Sequence, residues 1–344
     1  MVDQVREPRA DGAQSARVAR ATMKDVAALA GVGIKTVSRV VNGERHVSED
    51  TRVAVERAIA QLRFQRNASA ASLRQGQSAT IGLIVEDISE PTQSSIARAV
   101  ERVALDEGTL LFTASSSDDP DRERAMTLSL ISRRVDGLIV IPSPFDHGFL
   151  QPEMTAGLPI VFADRPPIGL TADTVLADNR GGAQTGTAHL IEAGHRRIAF
   201  IGDPESVHTG AERLAGYRDA LADAGIPYDP KVVFLGAPSI ERSEAAIAAA
   251  LDVDVPATAL FTGNSLNTLA TLRAPSFERS ALDHVAFDDF ELADLLWRPL
   301  TVVAQDPSAM GEAAARLVFD RLRGEPGAAR RVTLPTRLIV RNHR

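Results

Sequence analysis

From Thr22 onward, apolar residues recur with helical spacing. Met23, Val26, Ala27 and Ala30 share one face, Gly31 breaks the pattern, and a second short helix is predicted over Ile34 to Val41. A third is predicted from Asp50 to Leu62, with Ser48 as its N-cap and Val53, Val55, Ala58, Ile59 and Leu62 as the stripe it buries. These helices make one small all-α domain over residues 21–64. Residues 1–20 carry no period and read as a disordered tail. Residues 65–79, QRNASAASLRQGQSA, are small and polar, the composition of a linker with at most a turn or two of helix.

From residue 80 the texture changes. The apolar runs IGLIV (81–85), LLFTA (110–114), GLIVI (137–141) and PIVFA (159–163) alternate with amphipathic helices, and the rhythm resumes with IAFIG (198–202), VVFLG (232–236), ALFTG (259–263) and HVAFD (284–288). Strands that are apolar along their whole length must be covered on both faces, so two sets of four imply two doubly wound, parallel lobes. The fold class is α + α/β: a small helical domain followed by a two-lobed α/β body. Its first lobe is expected over about 80–175 and 305–330, its second over about 176–304 and 331–344. Ligands of such sheets sit beyond the carboxyl ends of the strands, so the polar residues that directly follow each run are the functional candidates.

Charge sharpens this division. The net charge of −7 combines four Arg against three acids over residues 1–20, nine Lys and Arg against five acids over residues 21–76, a balance of +4, and about −12 beyond residue 76. A basic module on an acidic body suggests a polyanion contact confined to one end, a solvated helical surface being the alternative. With no cysteine there is no disulfide framework, thiolate nucleophile or cysteine-bound zinc. No GxSxG, HExxH, Walker loop or GxGxxG is present and the seven histidines are scattered, so neither enzyme chemistry nor a cofactor or metal is expected. No run approaches the roughly 18 apolar residues of a membrane span, and the first 21 residues hold no signal-peptide core. A cytoplasmic protein without membrane contact is expected.

The segment TMKDVAALAGVGIKTVSRVVNGERHVSEDTRVAVERAIAQLRF carries DVAALAGV, TVSRVVNG and VSEDTR in an order and spacing that closely resemble the DNA-binding domain of the LacI family of transcriptional regulators. A helix, a tight turn at Gly31 and a second helix form a helix-turn-helix whose second helix enters a major groove. The resemblance implies that Ile34, Lys35, Ser38 and Arg39 face base edges, with Lys35 or Arg39 suited to guanine, while Thr36 and Asn42 hold phosphates. It also implies that RNASAASLR, with Asn67, is a hinge helix whose Leu73 wedges into the minor groove. Gly33 stands where the family commonly has a hydroxyl cap, and Arg66 and Ala71 replace its usual Pro and Arg. A homodimer on a near-palindromic operator follows. The chain ends at VRNHR without a heptad extension, which favours a dimer over a tetramer.

The body resembles the type I periplasmic-binding-protein fold that the family uses, through ADRP, DN, HLIEAGHRRIAFIG, ERLAGY, FDD and LTVVAQD in order. It implies an effector cleft formed by Ser116, Ser143, Asp164, Arg165, Arg213, Asn264, Asp288 and Gln305. Carboxylates, arginines and amides suit a ligand rich in hydroxyls, hence a sugar or related polyol. Asp164 could instead cap a strand end, and Arg213 with Asp288 could be a bracing ion pair. Asp178 and Asn179 are read as fixing the junction between lobes. Pro91, Thr92 and Gln93 stand where family members often carry aromatics, leaving Phe145, Phe162, Phe287, Phe290 and Trp297 as possible stacking walls. The expected function is an effector-controlled repressor. A transport solute-binding protein is disfavoured by the DNA-binding head, and a regulator with a silent cleft is the remaining alternative.

Overall fold

The structure, a computed structural model, describes residues 21–41, 44, 47–64, 78–291, 293–296, 298 and 300–341. Asn42, Arg66, Asn67, Ala71, Leu73 and Trp297 lie outside these residues. The chain divides into two compact units, one up to Gly76 and one from Gln77 onward.

In the first unit, helix α1 (Met23–Ala30) starts at a reciprocal capping box. The Asp25 amide donates to Thr22 Oγ1, and the Thr22 amide returns the bond to Asp25 Oδ2 at 2.7 Å. Gly31 closes the helix with φ 65°, a left-handed turn that a side chain adopts only at a cost. Helix α2 spans Ile34–Val41 and α3 spans Glu49–Leu62. Val26, Ala27, Val37, Val55 and Ala58 form the core, with Ile59, Leu62 and Phe64 against it. Ser48 stands at the head of α3, as the sequence predicts. It occupies the N-cap position, but its hydroxyl bonds the Thr51 hydroxyl at 2.8 Å and makes no bond to the helix backbone.

The second unit holds two six-stranded sheets of matching order. The first runs β2 (Leu110–Ser115), β1 (Thr80–Val85), β3 (Gly137–Val140), β4 (Ile160–Ala163), β5 (Asp173–Ala177), β11 (Arg331–Leu334). The second runs β7 (Val233–Leu235), β6 (Ile198–Gly202), β8 (Ala259–Thr262), β9 (Asp283–Phe287), β10 (Thr301–Ala304), β12 (Arg337–Ile339), where only the last pair is antiparallel. In the first lobe α4 (Pro91–Asp106), α5 (Pro120–Ser132) and α6 (Gln151–Thr155) follow β1, β2 and β3. In the second, α7 (Asn179–Glu192), α8 (His208–Asp223), α9 (Ile240–Leu251), α10 (Ser265–Leu272) and α11 (Pro275–Arg279) play that part. α12 (Pro307–Leu322) returns to the first lobe, where its Met310, Ala314 and Val318 share a core with Ile96 and Val100 of α4. α4, α5 and α12 begin alike, with Glu90, Asp119 or Asp306 accepting from the first-turn amides and proline at the first position, where a missing N–H costs nothing.

Two expectations for the lobes change. Each sheet has six strands rather than four, and residues 331–334 belong to the first lobe, not the second. Strand β11 pairs parallel with β5, from Arg331 opposite Thr174 to Leu334 opposite Ala177. Asp173 fixes this edge: Arg321 grips its carboxylate through two bonds of 2.8 Å, and the Arg330 amide donates to it at 2.7 Å. The chain therefore passes between the lobes after β5, after β10 and between β11 and β12.

Candidate functional site

Helix α2 buries Val37 and turns Val40 and Val41 inward. With about 100° per residue, Lys35, Ser38 and Arg39 fall on the opposite arc, and Ile34 lies on its flank beside Val41. Ile34, Lys35 and Arg39 are exposed, and Thr36 and Ser38 are half-buried. The Arg39 guanidinium lies 3.7 Å from Glu44 between two well-exposed side chains, a pairing that water screens heavily. Gly33 starts the helix by its backbone alone, its carbonyl accepting from Thr36 at 2.9 Å and Val37 at 3.2 Å. A short exposed helix that offers two cations and an apolar tip can enter a groove lined with phosphates and base edges.

In the second unit the polar residues gather where strands of both sheets end. Asp164 follows β4 and Asp288 follows β9, at equivalent places in the two lobes. Both hold left-handed backbone, φ 65° and 71°, and each amide donates to the neighbouring strand, to Val175 and Val303. Non-glycine residues in that region cost about 1–3 kcal/mol and persist where the surroundings fix them. The two carboxylates are therefore set by the sheets.

Asp288 is the more deeply placed. Its Oδ1 accepts from Gln305 Nε2 at 2.7 Å, and its Oδ2 lies 3.4 Å from the Ser265 amide and 3.5 Å from Arg213 Nη1. Burial pushes its pKa up and the charges of Glu90 and Asp164 push the same way, against the pull of Arg213 and Gln305. Arg213 is buried and spends its donors on Asn179 Oδ1 (2.8 Å) and the Gly263 carbonyl (2.7 Å), with its guanidinium 3.9 Å from the centre of the Phe287 ring. The ion-pair reading of Arg213 and Asp288 thus holds as geometry. Asn264 caps α10 and donates to Asp203 Oδ2 at 2.7 Å.

In the first lobe Arg165 is gripped by Glu86 at 2.8 Å and Asp118 at 3.2 Å, while its Nε sits 3.6 Å from Asp164, beyond hydrogen-bond reach. Burial works against the Arg165 charge. The carboxylates of Asp164, Glu86, Asp118 and, from the second lobe, Asp203 outweigh it and raise its pKa. Ser143 is held by its amide, which donates to Glu123 Oε2 at 2.6 Å. Glu123 in turn contacts His147 Nε2 at 3.0 Å, and both are fully buried. Ser116 is turned into its own lobe, donating to the Val85 carbonyl at 3.2 Å. The lobes meet where Ser265 Oγ donates to Glu90 Oε1 at 3.3 Å.

Three of the buried polar atoms that lack a hydrogen-bond partner lie at these strand ends: Gln305 Oε1, Ser143 Oγ and Arg165 Nε. An unsatisfied buried group costs about 1–3 kcal/mol. The set mixes an acceptor, a hydroxyl and a donor, and a ligand hydroxyl satisfies any of them.

The structure also brings in residues not read from the sequence. Glu86 and Asp203 directly follow β1 and β6, so the rule that selected Asp164 would have found them. Glu90, Asp118 and half-buried His208 lie one turn further on. Burial and Arg331 lower the His208 pKa, and Glu212 and Asp164 oppose them. Of the aromatic candidates, Phe162 and Phe287 are fully buried, Phe290 lies against the core of its sheet, and Phe145 stacks on Phe149 and packs at a tilt against His147. Phe162 and Phe287 therefore offer no stacking face, while Phe145 and Phe290 are half-buried. Among the described residues, no cluster of three or more metal-ligating side chains occurs and no helix is long and apolar enough to cross a membrane.

Two family models match the chain: bacterial regulatory proteins of the lacI family over residues 22–67, and a periplasmic binding protein-like domain over residues 187–342. The HTH-type transcriptional regulator CelR of Thermobifida fusca is 37% identical over 334 residues, covering 94% of this chain and 98% of that protein. A solved transcriptional regulator CelR–cellobiose complex superposes with TM-score 0.67 at 34% identity, covering 93% of this chain and 99% of that one. The lac repressor dimer bound to operator and the anti-inducer ONPF superposes with TM-score 0.81 at 26% identity, covering 93% and 98%.

Proposed function

This chain belongs to the lacI family of bacterial regulatory proteins, DNA-binding transcriptional regulators, and from that premise we propose that it is a cytoplasmic, homodimeric repressor whose operator affinity is set by a sugar or related polyol held between the two lobes. The observation that carries the ligand reading is the trio of unpartnered buried atoms, Gln305 Oε1, Ser143 Oγ and Arg165 Nε, on strand ends of both lobes. A polyhydroxylated molecule supplies both donors and acceptors to such a site. The cellobiose bound by the CelR relative is a ligand of that chemistry. Asp164, Asp288 and Arg213 orient it, with Asn264 acting through Asp203 and Ser116 shaping the first lobe.

Ligand bound across two lobes favours one relative arrangement of them. The coupling to DNA is then the difference in operator affinity between arrangements, typically about 1–3 kcal/mol. The reading is tested by calorimetric titration of the full chain with cellobiose and other uncharged sugars. Saturable binding is expected, and its absence across the series contradicts a polyol effector.

The DNA side has its own test. Lys35→Ala removes an exposed cation from the arc of α2 that faces away from the core, so operator affinity should fall by about 1–3 kcal/mol, roughly 5- to 150-fold. The probe is a near-palindromic operator selected in vitro from random DNA, titrated at fixed salt. Sugar binding should persist in this variant. An unchanged operator titration removes Lys35 from the reading surface.

A further inference from the structure

We propose that the cleft selects against anions: it takes a sugar bearing no phosphate or carboxylate, and Glu86 and Asp118 are the residues that enforce this. The inference rests on the polyol reading above and narrows it.

A guanidinium grips a phosphate best when its N–H groups are free to fork onto the phosphate oxygens. Each guanidinium at these strand ends is already engaged by protein acceptors. Arg165 donates one N–H of Nη1 to Asp118 and one of Nη2 to Glu86, so both terminal nitrogens are held by carboxylates, and its Nε is without a partner. Arg213 has committed Nε to Asn179 and Nη1 to the Gly263 carbonyl, with Asp288 beside it. Arg242, which feels Asp203, donates to the carbonyls of Gly202 and Phe234 and to Asn267. Six carboxylates stand on the same strand ends and first turns: Glu86, Glu90, Asp118, Asp164, Asp203 and Asp288. They act across the gap, since Asp203 of the second lobe supports the Arg165 charge and Asp164 of the first lobe raises Asp288. An incoming dianion meets this field in a partly desolvated space and must compete with Glu86 and Asp118 for Arg165. An uncharged hydroxyl needs only the free Nε–H.

Glu86 and Asp118 are decisive because they occupy the two ends of the fork. Glu86 follows β1 directly. Asp118 follows Ser117, and both hold left-handed backbone, φ 59° and 53°, which turns the chain after β2 toward Arg165. Burial holds the Glu86 carboxyl above the usual range against the opposing charge of Arg165.

The test is titration calorimetry on the full chain with matched pairs, glucose against glucose 6-phosphate and fructose against fructose 1-phosphate, and with cellobiose. For the wild type, any phosphorylated sugar should bind at least about 100-fold more weakly than the best uncharged one. In the Glu86→Gln/Asp118→Asn variant the ratio of phosphorylated to uncharged affinity should rise by about tenfold or more. Asp118→Asn alone, at a side chain that is half-exposed, changes the fold less and should move the ratio the same way. A phosphorylated sugar that binds the wild type as well as its uncharged partner overturns anion exclusion and leaves the sugar effector standing. An unmoved ratio in both variants overturns the role of the two carboxylates. Binding of neither class contradicts the polyol reading itself, and this inference with it.

Discussion

Replacing Arg213 by Met abolishes the response to effector and leaves operator binding by the free protein close to wild type. The side chain is buried on α8 and joins three places at once: Asn179 at the start of α7, Gly263 after β8 and Asp288 after β9. Met keeps the stem but leaves Asp288 with only Gln305 and the Ser265 amide. Removing one partner of a buried pair costs about 3–5 kcal/mol. The 3.5 Å separation places this pair at the lower end, so a fall of about 6–12 °C in Tm is expected for a unit of this size. Effector affinity should drop beyond about 100-fold, because both carboxylate orientation and the cleft floor change. Lost stability and lost recognition separate in a double-mutant cycle with Asp288→Asn. That change relieves the uncompensated charge, so the double variant should recover stability without recovering binding. Effector response that survives in Arg213→Met removes Arg213 from the site.

Gly216→Ala should destabilise the second unit by about 3 kcal/mol or more. Alanine in place of a helical glycine ordinarily stabilises by about 0.5–1 kcal/mol, so the expected sign is reversed. The cause is backbone contact between α8 and α7: a Cβ at 216 would lie 2.1 Å from the Arg180 carbonyl oxygen, 2.9 Å from the Gln184 nitrogen and 3.0 Å from Ala183 Cβ. No side chain can rotate away, so the helices must separate. α8 carries Arg213 one turn earlier, and α7 begins at the junction residues Asp178 and Asn179, so separation also displaces the cleft. Chemical denaturation of the variant checks the sign, and a stability equal to or above wild type refutes the close approach.

Much of this architecture was legible because its central strands are apolar from end to end. The eight runs read from the sequence are strands β1–β4 and β6–β9, and α2 has the bounds its periodicity predicts. Strand β10 (TVVA) is apolar but lies outside those eight runs, and the strands without such a signal are β5, β11 and β12: DTVLA opens on an acid, and RVTL and RLI begin with arginine and are only partly buried. Residues 331–334 were assigned to the wrong lobe for that reason, since what places them is the grip of Arg321 and the Arg330 amide on Asp173, more than 140 positions away. The cleft was half legible. Residues that follow strands could be found by position, but that Ser116 turns inward and Asn264 serves Asp203 depends on side-chain geometry that spacing does not encode.

The central claim is that ligand and operator are coupled through one chain, and it is tested most directly by titrating the selected operator with the full protein, with and without a saturating sugar that binds it calorimetrically. A shift in operator affinity of about 5- to 150-fold is expected, with the operator changing sugar affinity by the same factor. Superimposable operator titrations in the presence of a bound sugar would contradict the account.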